Sequence, residues 1–307
     1  MKRRLCHCVL LPLLLLLPAC KSSQATSQLA PTQQPQPNSS ATQSEELPKD
    51  VSEVFIDRKT LSYNGYKIIK LTKKVKYEYP PEIRSDPQLI DVNYTVIKRH
   101  GMPLVEFDGV HYGLGNSNQI GLFPFLGGDT NQLVISQTVP RGGRHWIIDL
   151  SSDVRVIFDS QEWGVGREEV WMKDLDNDGM QEIFLADPSF YMVFRSLSMS
   201  ETPLPETVFK YDRQAGKYLP ANHIFRDYAL KGINDEVQKL KPEGERGYLS
   251  SRLDILLRYI YAGREEEGWS FFDREYKLED KDEVKSKVKA VLEGSAFYKF
   301  IYGRKAT

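Results

Sequence analysis

From Val51 onward, short apolar runs alternate with polar residues at a period of two. Val54-Phe55-Ile56 and Leu61-Ser62-Tyr63 lead into Asn64-Gly65, a dipeptide suited to a two-residue hairpin because both residues accept positive φ. Ile68 to Tyr79 then alternates apolar residues with lysines, predicting a strand with one wet face. Pro80-Pro81 ends it. From Val92 to Asp212 the same pattern recurs at Tyr94–Ile97, Leu104–Phe107, Leu133–Ser136, His145–Ile148, Val154–Phe158, Ile183–Leu185, Met192–Phe194 and Val208–Tyr211. Asp108-Gly109, Gly127-Gly128-Asp129 and Gly142-Gly143 supply turns between these runs. Residues 51–220 therefore predict a mainly antiparallel β domain, an incomplete propeller-like or sandwich-like assembly of sheets.

After Pro220 the period lengthens. Leu249, Leu253, Leu256, Leu257, Ile260 and Tyr261 fall on one helical stripe that ends at Gly263, a residue able to take the left-handed closing conformation. Asp282 is the expected N-cap of a further helix carrying Val284, Val288, Val291 and Leu292 on one face. Between them, the run from Glu265 starts another helical turn that delivers Trp269, Phe271 and Phe272 to the same core. Residues 221–307 thus form a C-terminal α-helical segment.

The N-terminus changes which residues count. Lys2, Arg3 and Arg4 precede an apolar run from Val9 to Leu17 that is too short for a permanent membrane span, so residues 1–19 are expected to be an export signal. The run closes on Leu17-Pro18-Ala19-Cys20, which resembles a bacterial lipobox. That resemblance implies a lipoprotein signal peptide and lipidation at Cys20, and Lys21 after the cysteine points to the outer membrane. Residues 20–50 are rich in Ser, Gln, Pro and Thr and hold hardly any large apolar side chain, so burial cannot offset their ordering entropy and they form a disordered tether. Of the three cysteines, Cys6 and Cys8 leave with the signal and Cys20 carries lipid, so the exported domain has no disulfide. Without the three basic residues of the signal, 38 Lys and Arg face 42 acidic residues. A chain of that charge is no nucleic-acid binder, and its membrane contact falls to the acyl chains.

The most chemically informative stretch is Asp174-Leu-Asp176-Asn-Asp178-Gly179-Met180-Gln-Glu182. Carboxylates at alternate positions around a glycine can wrap a hard cation, since Ca²⁺ takes six to eight oxygens in flexible geometry. Asp174, Asp176 and Asp178 would give side-chain oxygens, Met180 its carbonyl, and Glu182 would close the site. The twelfth position of an EF-hand loop would be Leu185, and the flanks Val170-Trp171-Met172 and Ile183-Phe184-Leu185 read as strands. This strand-loop-strand form resembles the calcium loops of FG-GAP and VCBS repeats, the blades of integrin-like propellers, which implies a structural Ca²⁺ held by Asp174, Asp176, Asp178 and Glu182. Gly127 to Ile135 looks like a worn copy of the same turn, with Leu133 and Ile183 fifty residues apart, near a blade period. The segment YIYAGREEEGWSFFDREY resembles the tail of exported bacterial proteins that carry one Asp-rich loop, a likeness that implies no activity.

Catalytic signals are sparse. His100, His111, His145 and His223 show no metal-ligand spacing, and neither G-x-S-x-G nor H-E-x-x-H occurs. Arg141 and Arg144 on a glycine turn offer a grip for an anion, and Glu168 with Glu169 offers a carboxylate pair for glycoside hydrolysis. The sequence is best read as a lipid-anchored cell-envelope binding or scaffold module with a structural calcium loop, its partner a protein or glycan. The alternative is an exported hydrolase acting on glycans.

Overall fold

The computed structural model describes residues 55–77, 88–108, 118–139, 142–166, 170–245 and 247–303. The signal, Cys20, the tether, Pro80-Pro81, His111, Arg141, Glu168 and Glu169 lie outside them. Among the described residues, twelve strands form three four-stranded antiparallel sheets, each built in chain order. The first holds β1 (Phe55–Tyr63), β2 (Tyr66–Tyr77), β3 (Gln88–Arg99) and β4 (Met102–Asp108). The second holds β5 (Asn118–Phe123), β6 (Gln132–Val139), β7 (Gly142–Asp149) and β8 (Arg155–Asp159), and the third β9 (Trp171–Lys173), β10 (Glu182–Ala186), β11 (Glu206–Asp212) and β12 (Lys217–Pro220). None closes on itself, so the fold is a series of open meanders, the sheet form of a propeller blade. The Asn64-Gly65 turn has φ of 49° and 78°, the two positive values that a twist-matched hairpin needs, and it sets Tyr63 opposite Tyr66.

The second sheet is dry on both faces along its central strands, β6 and β7. Leu133, Ile135, Trp146 and Ile148 pack on Tyr66, Ile68, Ile97 and Phe107 of the first sheet. Val134, Ile147, Ile157 and Phe158 point the other way, into a core shared with Ile183, Leu185, Phe209 and Tyr218 of the third sheet and with the C-terminal helices. This explains why Leu133-Val134-Ile135 and Trp146-Ile147-Ile148 read as unbroken apolar runs, the signature of a strand with no solvated side. Each such side chain contributes about 1.5–3 kcal/mol by leaving water.

Among the described residues six helices follow: α1 (Arg226–Ala229), α2 (Ile233–Gln238), α3 (Tyr248–Tyr261), α4 (Glu265–Glu275), α5 (Lys281–Gly294) and α6 (Ala296–Ile301). Among the described residues none is long and apolar enough to cross a membrane. In α3 the expected stripe is buried, with Leu253, Leu256, Leu257, Ile260 and Tyr261 at 2% exposure or less, and Gly263 closes it with φ of 77°. Three glutamates open α4, where their charge meets the positive end of the helix dipole. Its far end is held by Arg252, whose guanidinium donates to the carbonyls of Glu275 (2.8 Å) and Tyr248 (2.9 Å).

Two expectations need correction. The N-cap of α5 is Asp280. Asp282 sits inside the first turn, where an acid is favoured by the dipole alone. Met192–Phe194 is no strand, because Asp187, Pro188 and Ser189 turn the chain out of β10. The Ser189 N–H binds the Asp187 carboxylate at 2.7 Å, and the following residues run as turns to β11 with Phe190 and Phe194 buried.

Asp187 is fully buried and also accepts a hydrogen bond from the Tyr261 hydroxyl of α3, tying sheet to helix. Burial pushes its carboxyl up, and the Ser189 and Tyr261 hydrogen bonds pull it only partly back. An acid raised in this way contributes stability that is complete below its unfolded pKa of about 4 and is lost as pH rises through the folded value. Tyr261→Phe removes one donor from the charged form. It is expected to cost about 1–3 kcal/mol at neutral pH and distinctly less near pH 4, which thermal melts of both proteins at the two pH values would show.

Candidate metal centre

β9 and β10 pair with Lys173 opposite Glu182, and the chain between them folds into a tight acidic loop. Two residues of it carry positive φ, Asn177 at 60° and Gly179 at 84°. Asp174 organises the loop by accepting from the N–H groups of Asp178 (3.2 Å) and Gly179 (3.0 Å). Asp178 in turn accepts from the Met180 N–H at 2.9 Å. Glu182, at the first position of β10, is buried, and one of its oxygens accepts from the Leu175 N–H at 2.7 Å. Local backbone donors thus satisfy part of the negative charge and pull the carboxylates inward.

The remaining oxygens converge on a residue that no local pattern indicates. Lys210 Nζ lies 2.7 Å from Asp176, 2.7 Å from Asp178 and 3.2 Å from Glu182. The register of the third sheet places it there: Ile183 pairs with Phe209, so the next residue of β11 lies beside the preceding residue of β10, on the same face. Burial works to lower the pKa of this ammonium, but the bonds to Asp176, Asp178 and Glu182 outweigh it and hold Lys210 above the ordinary lysine value. Conversely, the Lys210 hydrogen bond holds Asp178 below the usual carboxylate range, against some desolvation. Glu182 shifts up, because burial outweighs its bonds to Leu175 and Lys210.

A metal fits this donor set. Ligand oxygens of Asp174, Asp176 and Glu182 lie within 4.8 Å of one another, and oxygens at 2.3–2.6 Å from a Ca²⁺ ion stand up to about 5 Å apart across it. Asp178 lies in the same cluster through Lys210, while the buried Met180 side chain packs toward Arg213. An ion held here would have Asp174, Asp176, Asp178 and Glu182 as its carboxylates, and the Lys210 ammonium would have to withdraw from them.

The worn copy of the turn lies against this loop. Gln181 donates to the Phe125 carbonyl at 2.8 Å, and the Tyr218 hydroxyl donates to the Gln181 carbonyl at 3.0 Å. Gln132 opens β6 as Glu182 opens β10; it too is fully buried, and its Oε1 accepts from the Leu126 N–H at 3.0 Å. The two turns share a closure in which the first side chain of the second strand reaches back to a loop amide. One uses a neutral amide, the other an acid with a cation.

Other sequence candidates are engaged elsewhere. Arg144 is paired with Asp159 through two nitrogens and lies over the Trp146 ring. His145 is buried with Nδ1 3.0 Å from Ser136 Oγ. No protein-family model matches the chain, and no curated protein or solved structure matches it either.

Two neighbouring glycines separate contact from conformation. A Cβ on Gly127 would stand 2.3 Å from the Gly179 carbonyl oxygen, whereas one on Gly128 meets nothing within 4 Å; both have positive φ, 72° and 66°. Gly128→Ala should cost only the left-handed strain, about 1–2 kcal/mol. Gly127→Ala should cost clearly more, since the turn must also back away from the acidic loop. Urea unfolding of the two variants measures the difference.

Proposed function

We propose that the chain is a lipid-anchored protein of the bacterial cell envelope, held at the outer membrane through Cys20, whose exported part is a binding or scaffold module braced by a structural Ca²⁺ loop. The observation that carries the loop reading is the convergence of Asp176, Asp178 and Glu182 on one ammonium, beside Asp174. A cluster that draws a lysine from a neighbouring strand is built for a cation, and calcium would take the place of that ammonium. The anchor reading rests on Lys2 to Arg4, the leucine run and Leu17-Pro-Ala-Cys20. The ion's part is to neutralise like charges and close the turn between β9 and β10, which makes it a brace and no participant in chemistry.

Calcium binding to the folded form alone stabilises it by RT ln(1 + [Ca]/Kd). With a Kd of ~10⁻⁴–10⁻³ M, as in extracellular modules, ~1 mM calcium contributes about 0.4–1.4 kcal/mol. The parent melting temperature should therefore rise by about 1–5 °C between EGTA and millimolar calcium. Lys210→Met leaves Glu182 buried beside two further carboxylates without a counter-charge and should lose about 3 kcal/mol in EGTA. Calcium should restore much of that loss, so the variant gains more from the ion than the parent does. Equal melting temperatures with and without calcium, for both proteins, would show that Lys210 alone serves as the cation.

The anchor is tested separately. Mass spectrometry of the membrane fraction should find an acylated Cys20 as the mature N-terminus, and Cys20→Ser should release the protein. An unmodified, soluble parent would remove the lipoprotein reading and leave the loop untouched.

A further inference from the structure

Away from the acidic loop, a cavity of about 570 Å³ opens between the start of β11 and helices α1 and α3, with Glu206, Asn222, Tyr228, Asp254, Arg258 and Tyr261 among the residues around it. Its volume lies in the range of small-molecule sites. The polar groups of its wall divide unevenly. Apart from the exposed Lys231 ammonium, the side-chain donors are spent inside the protein: Arg258 donates to the carbonyls of Ala229 (3.1 Å) and Lys231 (2.7 Å) and to the Glu236 carboxylate (2.6 Å). Asn222 donates to the Glu206 carbonyl at 2.8 Å, Tyr261 to Asp187, and Tyr228 to the Glu206 carboxylate.

One acceptor is left over. Asp254 receives no hydrogen bond from the described residues, although it is half-buried on the inner side of α3. Burial pushes its carboxyl up, Arg258 pulls it back, and Glu236 adds to the rise. A carboxylate withdrawn from water without a donor is costly unless something supplies both hydrogen bonds and charge. A primary ammonium brings three N–H donors and one positive charge. A hydroxyl brings one donor and no charge.

We propose that this cavity is a binding site for a small organic primary amine, with Asp254 and Glu206 as the groups that receive its ammonium. It lies apart from the calcium reading and stands whether or not the loop takes an ion. Calorimetric titration of the full chain with D-glucosamine and with putrescine tests it, with glucose and 1,4-butanediol as uncharged counterparts. At least one amine should bind while both uncharged compounds give no saturable heat. Asp254→Asn, which keeps the shape of the side chain, should weaken binding roughly tenfold or more. Glu206→Gln, whose residue keeps an exposed surface, should weaken it as well and carries the test if the first variant does not fold. Asp176→Ala, in the acidic loop, should bind as the parent does. Absence of heat with both amines, equal binding of an uncharged counterpart, or unchanged affinity in the folded Asp254 and Glu206 variants would overturn the proposal. Loss of amine binding in Asp176→Ala would assign the amine to the loop and overturn it equally.

Discussion

The two central strands of the second sheet, β6 and β7, have no wet face over Leu133–Ile135 and Trp146–Ile148, and the rest of the molecule follows from that. Val134 and Ile147 look one way while Leu133, Ile135, Trp146 and Ile148 look the other, all at 7% exposure or less. Such a sheet is stable only when covered on both sides at once. The first sheet supplies one cover; the third sheet and the C-terminal helices together supply the other. The helices are therefore no appendage to a finished β domain. Their aromatic residues, Phe271, Phe272, Tyr276 and Phe297, complete the same core as Phe158 and Phe209, and the described residues belong to one compact unit.

That arrangement also fixes the acidic loop. With β10 buried from Glu182 to Leu185, its first residue leaves water as soon as the loop ends, and a glutamate there must find partners at short range. Leu175 provides a backbone donor and Lys210 a charge. The aspartates before it remain nearer solvent, so the loop grades from a wet rim to a dry floor. A cation seated at that boundary would meet both hydration and fixed oxygens.

Much of the architecture was legible because its causes are local. Period-two alternation, the Asn64-Gly65 turn and the leucine stripe of α3 each act over a few residues, and the strands and helices formed where they indicated. The short α1, α2 and α6 lack the two or three turns over which a stripe can be recognised. Met192–Phe194 misled because Met, Val and Phe in a row have the composition of a strand, although in this turn only Phe194 is buried. The acidic half of the candidate site was equally plain. Lys210 was not, since it joins the loop only through the register of β10 with β11, and one residue of slip would turn it to the opposite face. The cavity beneath α3 is further from view still, because its wall comes from four separated segments.

Gln132 and Glu182 show one fold solving one closure twice, with a neutral amide between the first and second strands of one sheet and an ionised group in the same place in the next. Uncharged closures are indifferent to dissolved salt, whereas charged ones partly open to water are screened by it. The two turns rest against each other at Gly127 and Gly179. A rigid, salt-blind element is thereby set directly behind a salt-responsive one, so that changes in ionic composition would be felt on one side of that contact and resisted on the other.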